Sequence, residues 1–409
     1  MKIGYLMQLG EEIRFPPYSG PANHVRHVIE ELRRGGHSVR LLIRLGDKIW
    51  RTDDLADFQS ITVELADRGP LRWLEKVVRW TQSKLHLPYL GLFESLRFAL
   101  ACRQELQGSV VYLERFSWMS YGGVLASRWL GVPLVLEYNG DPLLELDTKG
   151  EAPQGVQRRI SVWLMRWVFT KAAFIVASGN GWRDNCIDRW NVPPGKVTTI
   201  ENGTELVRLL RRDQLHSFGS IPSPADPVNL VYLGNFYAWH GVLILLRAFS
   251  SAIKQGANLR LRLIGAGAGF EDAQELASQL ELNGFVNFMG RLPVEEYGLH
   301  LGQADIGLSP YCGWNEYSGL KLFDYKAAGL ACIASGKDGQ PVTLKHGETG
   351  WIVPPCDEQA LCAAILRLAT DRELIRRMGQ AARIEAETTH GWDHTARLLE
   401  QVLSDQLRQ

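Results

Sequence analysis

Short apolar runs alternate with amphipathic stretches along the whole chain. That ordering predicts strands and helices in turn, layered around parallel sheets. The first strand is expected at Ile3–Met7. A helix follows over about Ala22–Arg34, where Val25, Val28, Ile29 and Leu32 recur at the spacing of one helical face. Gly35-Gly36 stops it, and Val39–Ile43 is the next strand. Further strands are predicted at Val110–Leu113, Leu134–Glu137, Phe174–Ala177 and Val197–Ile200. Ser217–Pro227 holds three prolines and no periodicity, so it reads as a linker. Beyond it come strands at Leu230–Leu233, Leu259–Ile264, Val286–Met289, Ile306–Leu308, Cys332–Ala334 and Trp351–Val353. Three helical stretches close the chain, the last around Trp392–Leu407. The expected architecture is α/β, with two Rossmann-like, doubly wound domains over residues 1–216 and 228–390. A linker at 217–227 joins them, and a terminal helix over 391–409 returns to the first. Ligands of such folds bind beyond the carboxyl ends of the strands.

Length and composition support this and narrow the chemistry. At 409 residues the chain exceeds the usual size of one core. Lys plus Arg number 45 and Asp plus Glu 45, so no net field attracts nucleic acid. The six cysteines form no CxxC pair and no zinc-type spacing with histidine. They are expected as mostly reduced thiols of a cytoplasmic protein. The N-terminal apolar run is too short for a signal peptide, and no stretch approaches the roughly 20 apolar residues of a membrane span.

The most informative segment runs from Asn315 to Gly329, following the strand at Ile306 and opening a helix. Ser318, Gly319 and Leu320 stand at the helix N-terminus, where backbone N–H groups and the helix dipole favour a diphosphate. Lys321 adds a mobile positive charge. Asp324, in the first turns, offers a carboxylate suited to the two hydroxyls of a ribose. Glu316, in the loop before, can reach sugar hydroxyls.

The spacing Glu316-x7-Asp324 and the run Lys321-Leu322-Phe323-Asp324-Tyr325 resemble the E-x7-E signature and K-L-F-E-Y variant of GT-B glycosyltransferases, specifically the family-4-like enzymes. Here the second acid is shorter by a methylene. Other segments match that family in order. Val231–Gly241 resembles its strand and phosphate loop, with Asn235 and His240 where relatives commonly carry Arg and Lys. Leu263-Ile264-Gly265-Ala266-Gly267 resembles its glycine turn. Phe288–Pro293 resembles the loop that reads the nucleobase, placing Arg291 beside the base or, equally, in solvent. Gly20 lies where the family has a glycine loop, and Ile200–Thr204 resembles an I-x-N-G turn.

The resemblance implies an interdomain cleft and a nucleotide-sugar donor, UDP- or GDP-linked, as substrate with no cofactor; no D-x-D motif appears, so no catalytic metal is expected. It further implies retention of anomeric configuration, the leaving diphosphate itself taking the acceptor proton. Lys321, His240 and the helix N-terminus are then expected to stabilise the leaving group, with Glu316 and Asn139 completing the catalytic set. Asn139 stands where many relatives place a histidine. Arg115, Glu137 and Asp141, at the ends of strands in the first half, are acceptor-side candidates. Glu137 and Asp141 are also readable as structural carboxylates, Glu137 paired with Arg115. His37 and His24 are expected in structural roles.

The acceptor is expected to be a glycan or a lipid-linked glycan. Two stretches mix basic and aromatic residues: Trp73, Val77 and Trp80 with Arg72, Lys76 and Arg79; and Ile160, Trp163, Leu164, Trp167 and Val168 with Arg158, Arg159 and Arg166. The first is readable either as a face at the inner surface of a membrane or as ordinary packing. The second reads as packing against a sheet. Two other functions remain open: a catalytically inactive nucleotide-sugar-binding subunit, and a nucleotide-sugar epimerase of the same fold.

Overall fold

The computed structural model describes residues 1–16, 19–63, 70–84, 92–312, 319–337, 341 and 343–408. The chain divides into two compact units, Met1–Glu201 with Thr395–Gln409, and Asn202–His394.

In the first unit the strands are β1 (Lys2–Met7), β2 (Ser38–Leu45), β3 (Lys48–Thr52), β4 (Gln59–Ile61), β5 (Val111–Arg115), β6 (Leu134–Tyr138), β7 (Phe174–Ala177) and β8 (Val197–Thr199). Its helices are α1 (Gly20–Arg34), α2 (Pro70–Lys84), α3 (Leu92–Glu105), α4 (Gly122–Leu130), α5 (Pro142–Lys149), α6 (Gly155–Lys171) and α7 (Asn180–Trp190). The strand order is β4-β3-β2-β1-β5-β6-β7-β8. Ile3 lies opposite Val39 on one side and Val111 on the other, both in parallel register. β1, β5 and β6 are buried along nearly their whole length, as befits strands covered on each side by helices. Helix α1 buries Val25, Val28, Ile29 and Leu32, starts at the Ser19 cap and ends at Gly35. β3 and β4 are antiparallel additions at one edge, absent from the expected pattern. Their short, polar runs carry no periodicity that distinguishes them from loop.

The second unit holds β9 (Val228–Leu233), β10 (Leu259–Ile264), β11 (Val286–Gly290), β12 (Ile306–Ser309), β13 (Ala331–Ser335) and β14 (Gly350–Val353). Its helices are α8 (Leu206–Leu209), α9 (Val242–Lys254), α10 (Phe270–Gln279), α11 (Val294–Gly302), α12 (Leu320–Ala327), α13 (Glu358–Ala369) and α14 (Arg372–Thr389); α15 spans Trp392–Gln406. The sheet is wholly parallel, in the order β11-β10-β9-β12-β13-β14. Its order therefore reverses between β9 and β12, where a crevice opens beyond the strand ends in such folds.

The division comes earlier than the proline-rich stretch expected as the linker. Residues 202–227 belong to the second unit, anchored by Leu206, Leu210 and Leu215 in its core. The prolines interrupt helical periodicity there without marking a boundary.

Candidate functional site

The turns after β9, β10 and β11 lie together at the carboxyl edge of the second sheet. Backbone bonds lace them: Gly234 N to Ile264 O at 2.9 Å, Phe236 N to Ala266 O at 3.1 Å, and Gly265 N to Gly290 O at 2.7 Å. This approach demands glycine. A Cβ on Gly265, whose φ is +134°, would stand 1.9 Å from Gly234 O. A Cβ on Gly241, at φ +71°, would stand 1.7 Å from Pro310 O, where the turn into α9 meets the end of β12. The glycine turn at Gly265 thus serves first to bring strand ends together.

Lys321 enters the same place from the first turn of α12. Its Nζ lies 4.8 Å from the centre of the Tyr232 ring and 4.5 Å from that of Tyr311. The ring faces offset part of the cost of burying an ammonium. A Cβ on Gly234 would come within 3.1 Å of that Nζ, so the β9 turn and the lysine are direct neighbours. Gly319 caps α12 at φ +54°. The first N–H groups of a helix have no carbonyl within it to meet, and they carry its positive dipole end. Leu320 is exposed at this turn. From behind, fully buried Lys326 fastens α12, its Nζ donating to Thr343 O and His390 Nε2, both at 2.9 Å.

His240 is buried beside this lysine, 3.1 Å from the Tyr232 hydroxyl through Nδ1 and packed on the Tyr311 ring. Burial first, then the neighbouring Lys321 charge, push its pKa down to about 3. It is neutral at ordinary pH and adds no positive charge of its own. Asn235 is exposed at the β9 turn, its carbonyl accepting from the Tyr232 hydroxyl at 2.5 Å. Arg291 is exposed just after β11.

Asp324 accepts from Thr204 Oγ1 at 2.6 Å and from the Tyr297 hydroxyl at 3.3 Å. Burial pushes its pKa up to about 7, against the two hydroxyl bonds, which act to lower it. Two carboxylate oxygens can accept about four hydrogen bonds, so these leave room for a further donor pair. Glu316 and Ser318 lie outside the described residues.

Gly20, Arg115, Glu137, Asn139 and Asp141 belong to the first unit. Gly20 opens α1 and is exposed, with no atom within 4 Å of where a Cβ would stand. Glu137, at the end of β6, accepts from the Tyr5 hydroxyl and bonds His24 Nε2 at 3.1 Å. Burial works to raise its pKa, yet His24, Tyr5 and Arg115 together hold it below the ordinary range. Its partners are thus Tyr5 and His24, with Arg115 acting only through its charge. Asp141 caps α5, accepting from Leu143 N at 2.9 Å and Leu144 N at 3.1 Å, with Arg189 Nε 3.1 Å away. That geometry is a helix cap. Asn139 follows β6, and its buried Nδ2 meets no acceptor among the described residues. His37 joins the Met1 amino group and Glu400.

Two sequence families cover most of the chain. One described as Glycosyl transferase 4-like domain matches residues 19–203, and one described as Glycosyl transferases group 1 matches 213–385. The chain belongs to the family-4-like glycosyltransferases. Among curated relatives it is 26% identical over 293 residues to the D-inositol 3-phosphate glycosyltransferase of Streptomyces avermitilis, covering 68% of this chain and 62% of that protein. The corresponding Nocardioides sp. protein is 25% identical over 299 residues, with 68% and 64% covered. The chain thus spans slightly less than two thirds of the length of these relatives. Among solved structures, sucrose-phosphate synthase from Thermosynechococcus elongatus superposes with a TM-score of 0.71 at 19% identity, over 99% of this chain and 98% of that one. Anabaena HepE, solved with UDP and glucose, superposes with a TM-score of 0.68 at 15% identity, over 99% and 100%. The fold is GT-B.

Several features of this family-4-like chain lay beyond the reach of its sequence. Cys312 and Cys356 form a disulfide, 44 residues apart. The expectation of mostly reduced thiols made no provision for this one bridge. Each cysteine follows a strand, β12 or β14, at the carboxyl edge, an adjacency that no local spacing reveals. The other four cysteines are buried thiols. Tyr232 and Tyr311 around Lys321, and Thr204 and Tyr297 around Asp324, come from distant segments joined only by the fold. No helix among the described residues is long and apolar enough to cross a membrane. No described group of three or more His, Cys, Asp or Glu residues is placed to hold a metal ion.

Proposed function

We propose that this chain transfers a hexosyl group from a UDP- or GDP-linked sugar to a hydroxyl of a glycan or lipid-linked glycan. The observation that carries the reading is Lys321, held between Tyr232 and Tyr311 at the first turn of α12, beside a turn that only glycine can form. A buried cation, a helix N-terminus and a sheet switch point together form a site for a diphosphate. The likeness to HepE, solved with UDP and glucose, supports a nucleotide-linked donor.

In this reading the diphosphate lies on the second unit, against Lys321, Gly319 and Leu320. Asp324 takes the ribose hydroxyls, Arg291 borders the base, and Glu316 holds the donor sugar. Asn235 borders the phosphates. His240, being neutral, positions Lys321 and Tyr232 and contributes no charge. Gly20 leaves space on the first unit for a substrate, and Asn139 hydrogen-bonds a sugar hydroxyl. Asp141 is structural, while Glu137 shapes the acceptor side through His24.

The C1–O bond to the leaving phosphate breaks and a C1–O bond to the acceptor forms on the same face. The acceptor proton passes to the leaving phosphate oxygen, so no side-chain base and no metal is required. Developing negative charge on the diphosphate is met by the lysine and helix N–H groups, which need no reorganisation.

Incubation with a panel of UDP- and GDP-sugars, with and without oligosaccharide acceptors, tests this reading. Acceptor-dependent release of nucleoside diphosphate and a retained anomer in the product, read by NMR, are expected. Binding without release points instead to a binding subunit, and an altered sugar without release to an epimerase.

A further inference from the structure

Helix α2 is amphipathic in the inverse sense. At about 100° per residue, Leu71, Glu75, Val78 and Gln82 share one side of it, and Trp73, Val77, Trp80 and Lys84 the opposite side. The side turned to the protein carries the acid: Glu75 is buried, pairing with Arg79 at 2.8 Å and with Arg97 of α3 at 2.7 Å. The side turned to solvent carries the aromatics, with Trp73 68% and Trp80 64% exposed and Val77 exposed between them. Leu74 is exposed beside them. A lone surface tryptophan is ordinary, but a stripe of this composition marks an interaction face.

Helix α6 repeats the pattern. It buries Met165, Val168 and Phe169 and exposes Val156, Ile160 and Trp163, the last at 66%. Of the stripe Ile160, Trp163, Leu164, Trp167 and Val168, expected to pack inward, Val168 is buried and Leu164 and Trp167 are half-buried, while Ile160 and Trp163 face outward. Both helices lie on one side of the first sheet. α4 and α6 connect β5 to β6 and β6 to β7, stepping the same way along it, and right-handed crossovers place them on one face. α3 packs on α4, and α2 is tied to α3 by Glu75–Arg97 and Arg79–Glu94.

Charge decides the partner. Arg72 and Lys76 flank the α2 stripe and are exposed, as are Arg159 and Arg166 beside the α6 stripe. α2 carries four basic residues and one acid, and that acid is the buried one. A second copy docked symmetrically on this face would set like charges against one another. A surface that is apolar in the middle and rimmed by cations fits an anionic lipid bilayer, whose headgroup region takes tryptophan and whose phosphates take arginine and lysine.

We propose that the first unit docks peripherally on anionic membrane through Trp73, Val77 and Trp80 of α2, with Ile160 and Trp163 of α6 as a second contact. This does not rest on the transfer reaction, and its test needs no sugar. The full chain is floated with vesicles of phosphatidylcholine alone or mixed with phosphatidylglycerol. The wild type is expected to bind the mixed vesicles, weakly the neutral ones, and less as salt rises. W73S/W80S should lower partitioning about tenfold or more, and Trp163→Ser by less. Arg72→Glu with Lys76→Glu should remove the preference for anionic lipid. Because these side chains are exposed, unfolding midpoints should match the wild type, which separates lost docking from lost fold. Equal flotation of W73S/W80S, or a wild type that ignores phosphatidylglycerol, would overturn the proposal. So would a wild-type dimer, seen by light scattering, that W73S/W80S turns to monomer without any vesicle binding.

Discussion

Lys321 keeps only 8% of its surface exposed and has two tyrosine rings against its ammonium. An anion arriving there meets a charge already stripped of most of its water, so the contact is stronger than at a surface lysine. Replacing Lys321 by Met should lower nucleoside diphosphate affinity by about ten- to a hundredfold, measured by calorimetry, with circular dichroism unchanged. Asp324 adds a pH dependence. Burial raises its pKa to about 7, so the folded chain retains this proton at pH values where the unfolded chain has lost it. Folding stability therefore falls as pH rises from the ordinary carboxyl range to about 7, while the ionised, acceptor-only form that grips a diol becomes populated. Donor affinity should rise through that interval, and Asp324→Asn should flatten the profile. Glu114 gives a cleaner case away from the site. It is fully buried and bonded to Gln8, and burial raises its pKa to about 8. By the same sign, wild-type stability declines as pH rises toward 8. Glu114→Gln, uncharged throughout, should melt close to wild type at about pH 5 and clearly above it at about pH 9. That Lys321 and Asp324 share one helix was legible in the sequence, from the run Lys321–Tyr325 at a helix start. The neutrality of His240 was not, because it depends on burial and on a neighbour 81 positions away in the chain.

Glycine turns and caps decide how the elements meet. Gly241 combines positive φ with a carbonyl where its Cβ would be. Gly241→Ala should cost about 2 kcal/mol or more of stability. Gly20→Ala, with open space around it, should stay within about 0.5 kcal/mol and so isolates any effect on substrate. The Cys312–Cys356 bridge closes a 44-residue separation, and chain entropy alone assigns it about 4 kcal/mol. Unfolding with and without dithiothreitol measures it. Helices such as α1, and strands such as β1 and β10, announce themselves by apolar periodicity, and their ends moved by only a residue or two. The β3–β4 edge did not, because β3 is half solvent-facing and β4 has no buried position. The unit boundary was misplaced because prolines at 217–227 outweigh, to the eye, three leucines that the second core captures.

At the scale of the molecule, there are two Rossmann-like units, and the proposed donor site lies on the second. If the donor rests on the second unit alone, Asn139→Ala in the first should leave nucleotide affinity unchanged while lowering transfer. The order of motifs from Gly20 to Asp324 made the GT-B class readable, since those at Val231–Gly241, Leu263–Gly267 and Phe288–Pro293 fall at strand ends, where such folds place their ligands. The residues around those motifs came from the folded chain: Tyr232 and Tyr311 at the lysine, and Thr204 and Tyr297 at Asp324. The central claim is nucleotide-sugar transfer from a donor held by Glu316, Lys321 and Asp324. Its most direct test is the acceptor-dependent rate of nucleoside diphosphate release by the wild type and by Glu316→Ala. The account predicts turnover by the wild type and its loss in a variant that remains folded and melts normally. Wild-type rates in Glu316→Ala would contradict it.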